Sequence, residues 1–158
     1  MSADLDALLD RHGLSRGDLV AATYDLPREA LDERWCGDWT VKDLVCHIAA
    51  WEDAVATAIE AFARGREPRV PGFEGDRPGG HDAFNARAIE AHGDLDWSET
   101  WEWADETRKH LLSALLALYE LPTASYAEGT AIRELIDQAS HEEAHTRDIE
   151  RWRKERGL

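Results

Sequence analysis

The chain has 158 residues, 43% of them hydrophobic and 32% charged, with 33 Asp and Glu against 18 Lys and Arg for a formal charge of -15. A single domain spanning 1–158 buries enough apolar surface to fold without disulfides or a structural metal, so a metal site in it would not be a folding staple. The acidic balance, with a pI of about 4.8, repels phosphate backbones and anionic lipid, which argues against nucleic-acid and membrane partners.

The opening Met1-Ser2-Ala3-Asp4-Leu5-Asp6 is acidic where a secretory signal is basic and then apolar, so a cytoplasmic location is expected. The longest nearly unbroken apolar run, Leu111 to Tyr119, is far shorter than the roughly 20 residues of a membrane span. Strand signals are nearly absent and helical periodicity dominates. The first helical region covers about Ala3 to Asp25, where Gly13 and Gly17 weaken the middle enough to allow two short helices. Next, Thr40 caps and Asp43 suits the positive end of a helix whose face is Val41, Leu44, Val45, Ile48, Trp51, Val55, Ile59 and Phe62. Cys46 points away from that face; Cys36 and Cys46 show no zinc spacing and read as free thiols, small buried hydrophobes.

Residues Gly65 to Gly80, rich in glycine and proline, form a long connection. Such a crossover lets successive helices run in the same direction, which a short loop does not. Helix returns over about Asp82 to Ala91, with Asp82 and Asn85 as caps, and again from Ser98 to Glu120. Thr130 then caps a last helix through Ile132, Leu135, Ile136, Ala139, Ile149 and Trp152, with a basic end suited to the dipole. These elements predict an all-α, four-helix bundle with a long crossover between helices 2 and 3.

The chemistry concentrates on the last helix, where His141 and His145 stand at i and i+4, about 6 Å apart and able to share one ion. Both fall at the edge of the apolar face. His47 occupies the same margin on the second long helix, one turn from Trp51. Bundle metal sites are built from such facing positions, and three neutral imidazoles leave a coordination position open for substrate. Zinc is the expected ion, with nickel and iron also accepting imidazole. His141-Glu142-Glu143-Ala144-His145 also satisfies H-E-x-x-H, yet only thirteen residues follow it and no sheet precedes it, against a zinc protease. A second E-x-x-H is missing, against a di-iron bundle. Glu142 is the nearest candidate catalytic proton carrier, with a supporting or salt-bridge role equally open. Trp51 is the candidate pocket wall; Trp39, Trp101 and Trp152 read as packing. His12, His81, His92 and His110 read as surface residues.

The Trp39-Thr40-Val41-Lys42-Asp43 start with His47, the Asp82-Ala83-Phe84-Asn85 segment and the His141 to His145 helix ending Ile149-Glu150-Arg151-Trp152 resemble the DinB-like (YfiT-like) superfamily. That group includes the mycothiol-dependent maleylpyruvate isomerase type and the ClbS/DfsB type. The resemblance implies an up-down-down-up bundle with a divalent ion on His47, His141 and His145. For function it implies a transferase or isomerase using a low-molecular-weight thiol, a metal-dependent hydrolase, or a protein that inactivates a toxin or reactive metabolite. A small-molecule substrate and a homodimer are compatible with each. The rival class is a non-enzymatic module that binds a small ligand or pairs with itself.

Overall fold

The computed structural model describes residues 3–75 and 77–158, with side chains from Asp4 onward. Met1 and Ser2 of the acidic opening, and Asp76 of the crossover, lie outside the described residues. Among the described residues, seven α-helices follow in order: α1 (Ala3–Thr23), α2 (Arg28–Leu31), α3 (Val41–Ala63), α4 (Gly80–His92), α5 (Trp97–Ala117), α6 (Ala131–Ile136) and α7 (Ala139–Arg156), with two 3₁₀ turns between α5 and α6. None is long and apolar enough to cross a membrane among the described residues.

The first region is one continuous helix rather than two. Gly13 and Gly17 lie on its exposed side with open space around them, so they cost helix propensity without interrupting the buried Leu5, Leu8 and Leu19 stripe. α3 starts where expected: Thr40 Oγ1 accepts from the Asp43 amide at 3.2 Å while the Asp43 carboxylate accepts from the Thr40 amide at 2.9 Å, a reciprocal capping box. Asp96 and Glu99 repeat the device at α5. Cys46 is buried, as its reading as a small hydrophobe expects and although it lies off the predicted face, because α3 is the central helix and is covered on nearly every side by α4, α5, α6 and α7; Cys36 is half-buried.

Side-chain pairings fix the directions of the four long helices. Arg11 pairs with Asp137 and Glu143, and Arg153 bonds the Ala22 carbonyl and pairs with Asp25, so α1 and α7 run parallel. Lys42 bonds the Gly93 and Leu95 carbonyls just before α5, Glu52 meets Arg108, and Glu60 approaches His110, so α3 and α5 also run parallel. Leu5 and Leu8 share a core with Val55 and Ile59, while Leu19 and Ile149 share one with Val41 and Leu44. The two parallel pairs are therefore opposed, giving the course up, down, down, up. The crossover after α3, with α4 inside it, returns the chain so that α5 can run alongside α3. Gly80 opens α4 where an added Cβ would strike the Gly75 carbonyl oxygen, so the tight return of the crossover needs glycine there.

The last helix departs from the expected single element. It breaks at Asp137 and Gln138: Asp137 takes ψ 40°, and the Ser140 amide bonds the Asp137 carbonyl at 3.3 Å instead of reaching back to Ile136. Thr130 holds the N-cap position of α6, but its hydroxyl donates to the Ala127 carbonyl and caps nothing.

Candidate metal centre

His47 stands on α3 seven residues after its N-cap Thr40, and His141 and His145 stand on the first turns of α7. Antiparallel packing of α3 and α7 brings them together. His141 Nε2 lies 3.0 Å from His47 Nε2 and 3.0 Å from His145 Nε2, and the three rings offer ligand atoms all within 4.8 Å of one another. Ring centroids are 4.6 to 5.0 Å apart and the planes nearly perpendicular.

Burial, reinforced by the neighbouring imidazoles, pushes His47 down to about 2 and His141 down to about 4; burial also lowers His145. All three are neutral at physiological pH. A neutral imidazole nitrogen either donates or accepts, never both, so His141 Nε2 cannot satisfy both of its neighbours. Its single proton or single lone pair is shared between two neighbours, so at most one of the two contacts is a full hydrogen bond. The Nδ1 atoms of His47 and His145 are also buried without a hydrogen bond among the described residues; the Asn85 amide near His47 does not reach Nδ1 in bonding geometry. The donor set suits a cation. Three nitrogens about 2.0 Å from a tetrahedral zinc stand about 3.3 Å apart, close to the observed spacing, and such an ion would take up every Nε2 lone pair.

Trp51 closes one side, with its ring 6.5 Å from His47 and 6.4 Å from His141. It packs on Phe84 at 4.2 Å, Phe73 at 5.1 Å and His81 at 5.5 Å. Its Nε1–H donates to Asn85 Oδ1 at 3.0 Å. Asn85 is therefore no helix cap: Gly79 holds that position, Asp82 lies in the first turn, and Asn85 points back at α3. Trp39 covers His47 from the other side at 5.1 Å. Trp152, at the opposite end of α7, stacks on Trp35.

Glu142 does not join the triad. One residue beyond His141, its carboxylate faces the bundle interior, 1% exposed, where Oε1 accepts from Arg108 at 2.7 Å and Ser15 at 2.7 Å and Oε2 accepts from Arg16 at 2.9 Å. The same two arginines bind Glu52, Arg108 at 2.5 Å and Arg16 at 3.0 Å. Two cations and two anions, one from each long helix, thus balance in the bundle centre. With both carboxylate oxygens of Glu142 engaged by Ser15, Arg108 and Arg16, a proton-carrying role at the triad has no geometric basis.

His12 is also corrected: expected at the surface, it is fully buried beside this quartet. Periodicity could have placed these polar groups in the core, though not which of them meet. His12 is in phase with Leu5, Leu8 and Leu19, Glu52 with Ile48 and Val55, and Arg108 with Ala104, Leu111 and Leu115, so polar groups occupy core stripes on three helices. His81 is exposed as expected, His92 stacks on Trp103 at 3.7 Å, and His110 bonds Asp53 at 2.8 Å.

An up-down-down-up helical bundle with a histidine cluster between its second and fourth long helices defines a DinB-like protein with a candidate metal centre. The model of the mycothiol maleylpyruvate isomerase N-terminal domain matches residues 12–150, and the chain belongs to that family. No curated protein and no solved structure matches the chain.

Proposed function

We propose that the chain is a metal-dependent enzyme in which His47, His141 and His145 hold a divalent ion, zinc by ligand chemistry, and a low-molecular-weight thiol of the mycothiol type acts there on a small-molecule substrate. The observation that carries this reading is the convergence of three neutral Nε2 atoms in a member of the mycothiol-linked family. A divalent ion bound there supplies a Lewis acid that keeps a thiol as thiolate near neutral pH.

The chain's own groups do the rest. Three uncharged ligands leave the ion's positive charge uncancelled, favouring an anionic partner. Trp51, Phe73 and Phe84 present apolar surface on one side, which excludes water and suits the flat or apolar body of a substrate. Neither cysteine offers a nucleophile: burial raises both thiols, Cys46 to about 11. The thiol must then come from a cosubstrate. Water as nucleophile would make the same site a hydrolase.

The test is metal content followed by thiol binding. Purified protein should carry or take up close to one equivalent of zinc, and excess zinc at 100 times its Kd should stabilise it by about 2.7 kcal/mol, a rise of about 5–10 °C for a domain of this size. His145→Ala should abolish the rise with helix content intact. Mycothiol added to the cobalt-substituted protein should produce a sulfur-to-cobalt charge-transfer band. Metal below a tenth of an equivalent, with no thermal shift on adding zinc, would sink the metal reading; substrate turnover without thiol would sink the thiol.

A further inference from the structure

The break between α6 and α7 frees the Ile136 carbonyl, and His12 takes it up: Nε2 of the buried imidazole lies 3.1 Å from that oxygen. On its other side, Nδ1 faces Arg108 Nη1 at 3.2 Å. A guanidinium only donates and a carbonyl only accepts, so the partners dictate the tautomer: Nδ1 carries the lone pair and Nε2 the proton. Arg108 is itself held by the His12 carbonyl at 3.0 Å, by Glu52 and by Glu142. A path of direct hydrogen bonds therefore runs from the quartet through Arg108 and His12 to the residue where α6 stops.

The stop matters because α7 carries two of the three ligands. A helix turns about 100° and rises 1.5 Å per residue. A break one residue earlier or later would swing His141 and His145 by about a quarter-turn, away from His47. The quartet grips α7 from behind, through Glu142, and His12 fixes its start. We propose that His12 is a positioning residue for the triad: its Nε2–H on the Ile136 carbonyl, aimed by Arg108, fixes where α7 begins and so the rotation at which His141 and His145 meet His47. This inference rests on the metal reading above.

Three variants test it with two readouts, zinc affinity by chelator competition and the visible spectrum of the cobalt-substituted protein, which follows ligand geometry. His12→Gln places an amide N–H near the Nε2 position and should keep wild-type affinity within threefold and the wild-type spectrum. His12→Asn can still accept from Arg108 but falls short of Ile136; it should stay folded, lose ten- to a hundredfold in zinc affinity, as expected when a supporting partner of a ligand is removed, and shift the cobalt bands. His12→Leu should lose at least as much. If His12→Leu does not fold, the Gln and Asn pair decides alone. Folded His12→Asn with wild-type affinity and spectrum overturns the positioning role while leaving the metal site intact. Wild-type protein that binds no zinc overturns both.

Discussion

Two polar clusters lie side by side in the bundle, and both use α3 and α7, yet they are built on opposite terms. In the quartet, Arg16, Arg108, Glu52 and Glu142 cancel in charge, and the carboxylate oxygens all accept hydrogen bonds. Nothing is left to offer a ligand except one unpartnered donor, Arg108 Nε. In the triad, two nitrogens compete for the one proton or lone pair of His141 Nε2, and no arrangement of protons gives both a full hydrogen bond. A buried cluster that completes itself holds a fold together; one that can be completed only from outside is a candidate binding site. His141 and Glu142, adjacent in sequence, serve one cluster each, because successive residues on α7 face about 100° apart.

Acid separates the two clusters most strongly. In metal-free protein, His47, His141, His145 and His12 all have folded pKa values below the ordinary value of 6.5. The unfolded chain therefore binds more protons as pH falls, and the stability tied to these neutral imidazoles is complete above pH 6.5 and lost below it. For His47 and His141, at about 1.4 kcal/mol per pH unit each, the loss between pH 6.5 and 4.5 is on the order of 5 kcal/mol. Urea denaturation of the metal-free protein across that range should show it against the opposing slope of Glu52, which burial raises to about 7 and which holds a proton more tightly in the folded protein. His47→Leu should flatten the slope, and an unchanged slope in that variant would mean that His47 does not titrate as its surroundings dictate.

Single substitutions should differ in the same way. Arg16→Met leaves two buried carboxylates with one guanidinium, and breaking a buried pair in this manner costs about 3–5 kcal/mol. His145→Ala removes a nitrogen that at best shares His141 Nε2 with His47, so in metal-free protein it should cost less than about 1 kcal/mol, within the range of substitutions that relieve a strained functional site. Thermal denaturation of both variants without metal makes the comparison. Equal losses would mean that the triad contributes to the fold as the quartet does.

The sequence made the triad legible and hid the quartet, for one physical reason. Imidazoles at i and i+4 on the margin of an apolar stripe announce a ligand pair, since nothing in local structure needs them there. Glu142 reads instead as a candidate proton carrier or salt-bridge partner beside the histidines, because periodicity ranks positions by depth and does not say which charges will meet. That the second and third long helices could run the same way was legible in the length of the crossover, a global feature visible as a run of glycine and proline, while the full up-down-down-up course was an implication of the resemblance. The break at Asp137 was not legible: no proline or glycine marks it, and its stabilising partner, His12, is 124 residues away. The role of Asn85 was hidden likewise, because Asp82 and Asn85 near a helix start suggest capping until Trp51 is seen to supply the donor.

Trp51 gives the smallest expected effect and the finest discrimination. It touches the triad on one face and Phe84 on the other, so its indole belongs to the wall of the site and to the core at once. Trp51→Phe keeps most of the apolar surface but removes the Nε1–H that Asn85 accepts, leaving the amide oxygen without its donor. The cost should be about 1 kcal/mol from the lost hydrogen bond, with a further contribution from the smaller ring. Zinc affinity should stay within about threefold, because no ligand atom moves, whereas binding of a thiol or substrate that rests on the wall should weaken, which titration calorimetry of the zinc-loaded variant can measure. A loss of zinc affinity comparable to that of His145→Ala would instead make Trp51 part of what orients His47, and the boundary between wall and ligand set would have to be drawn elsewhere.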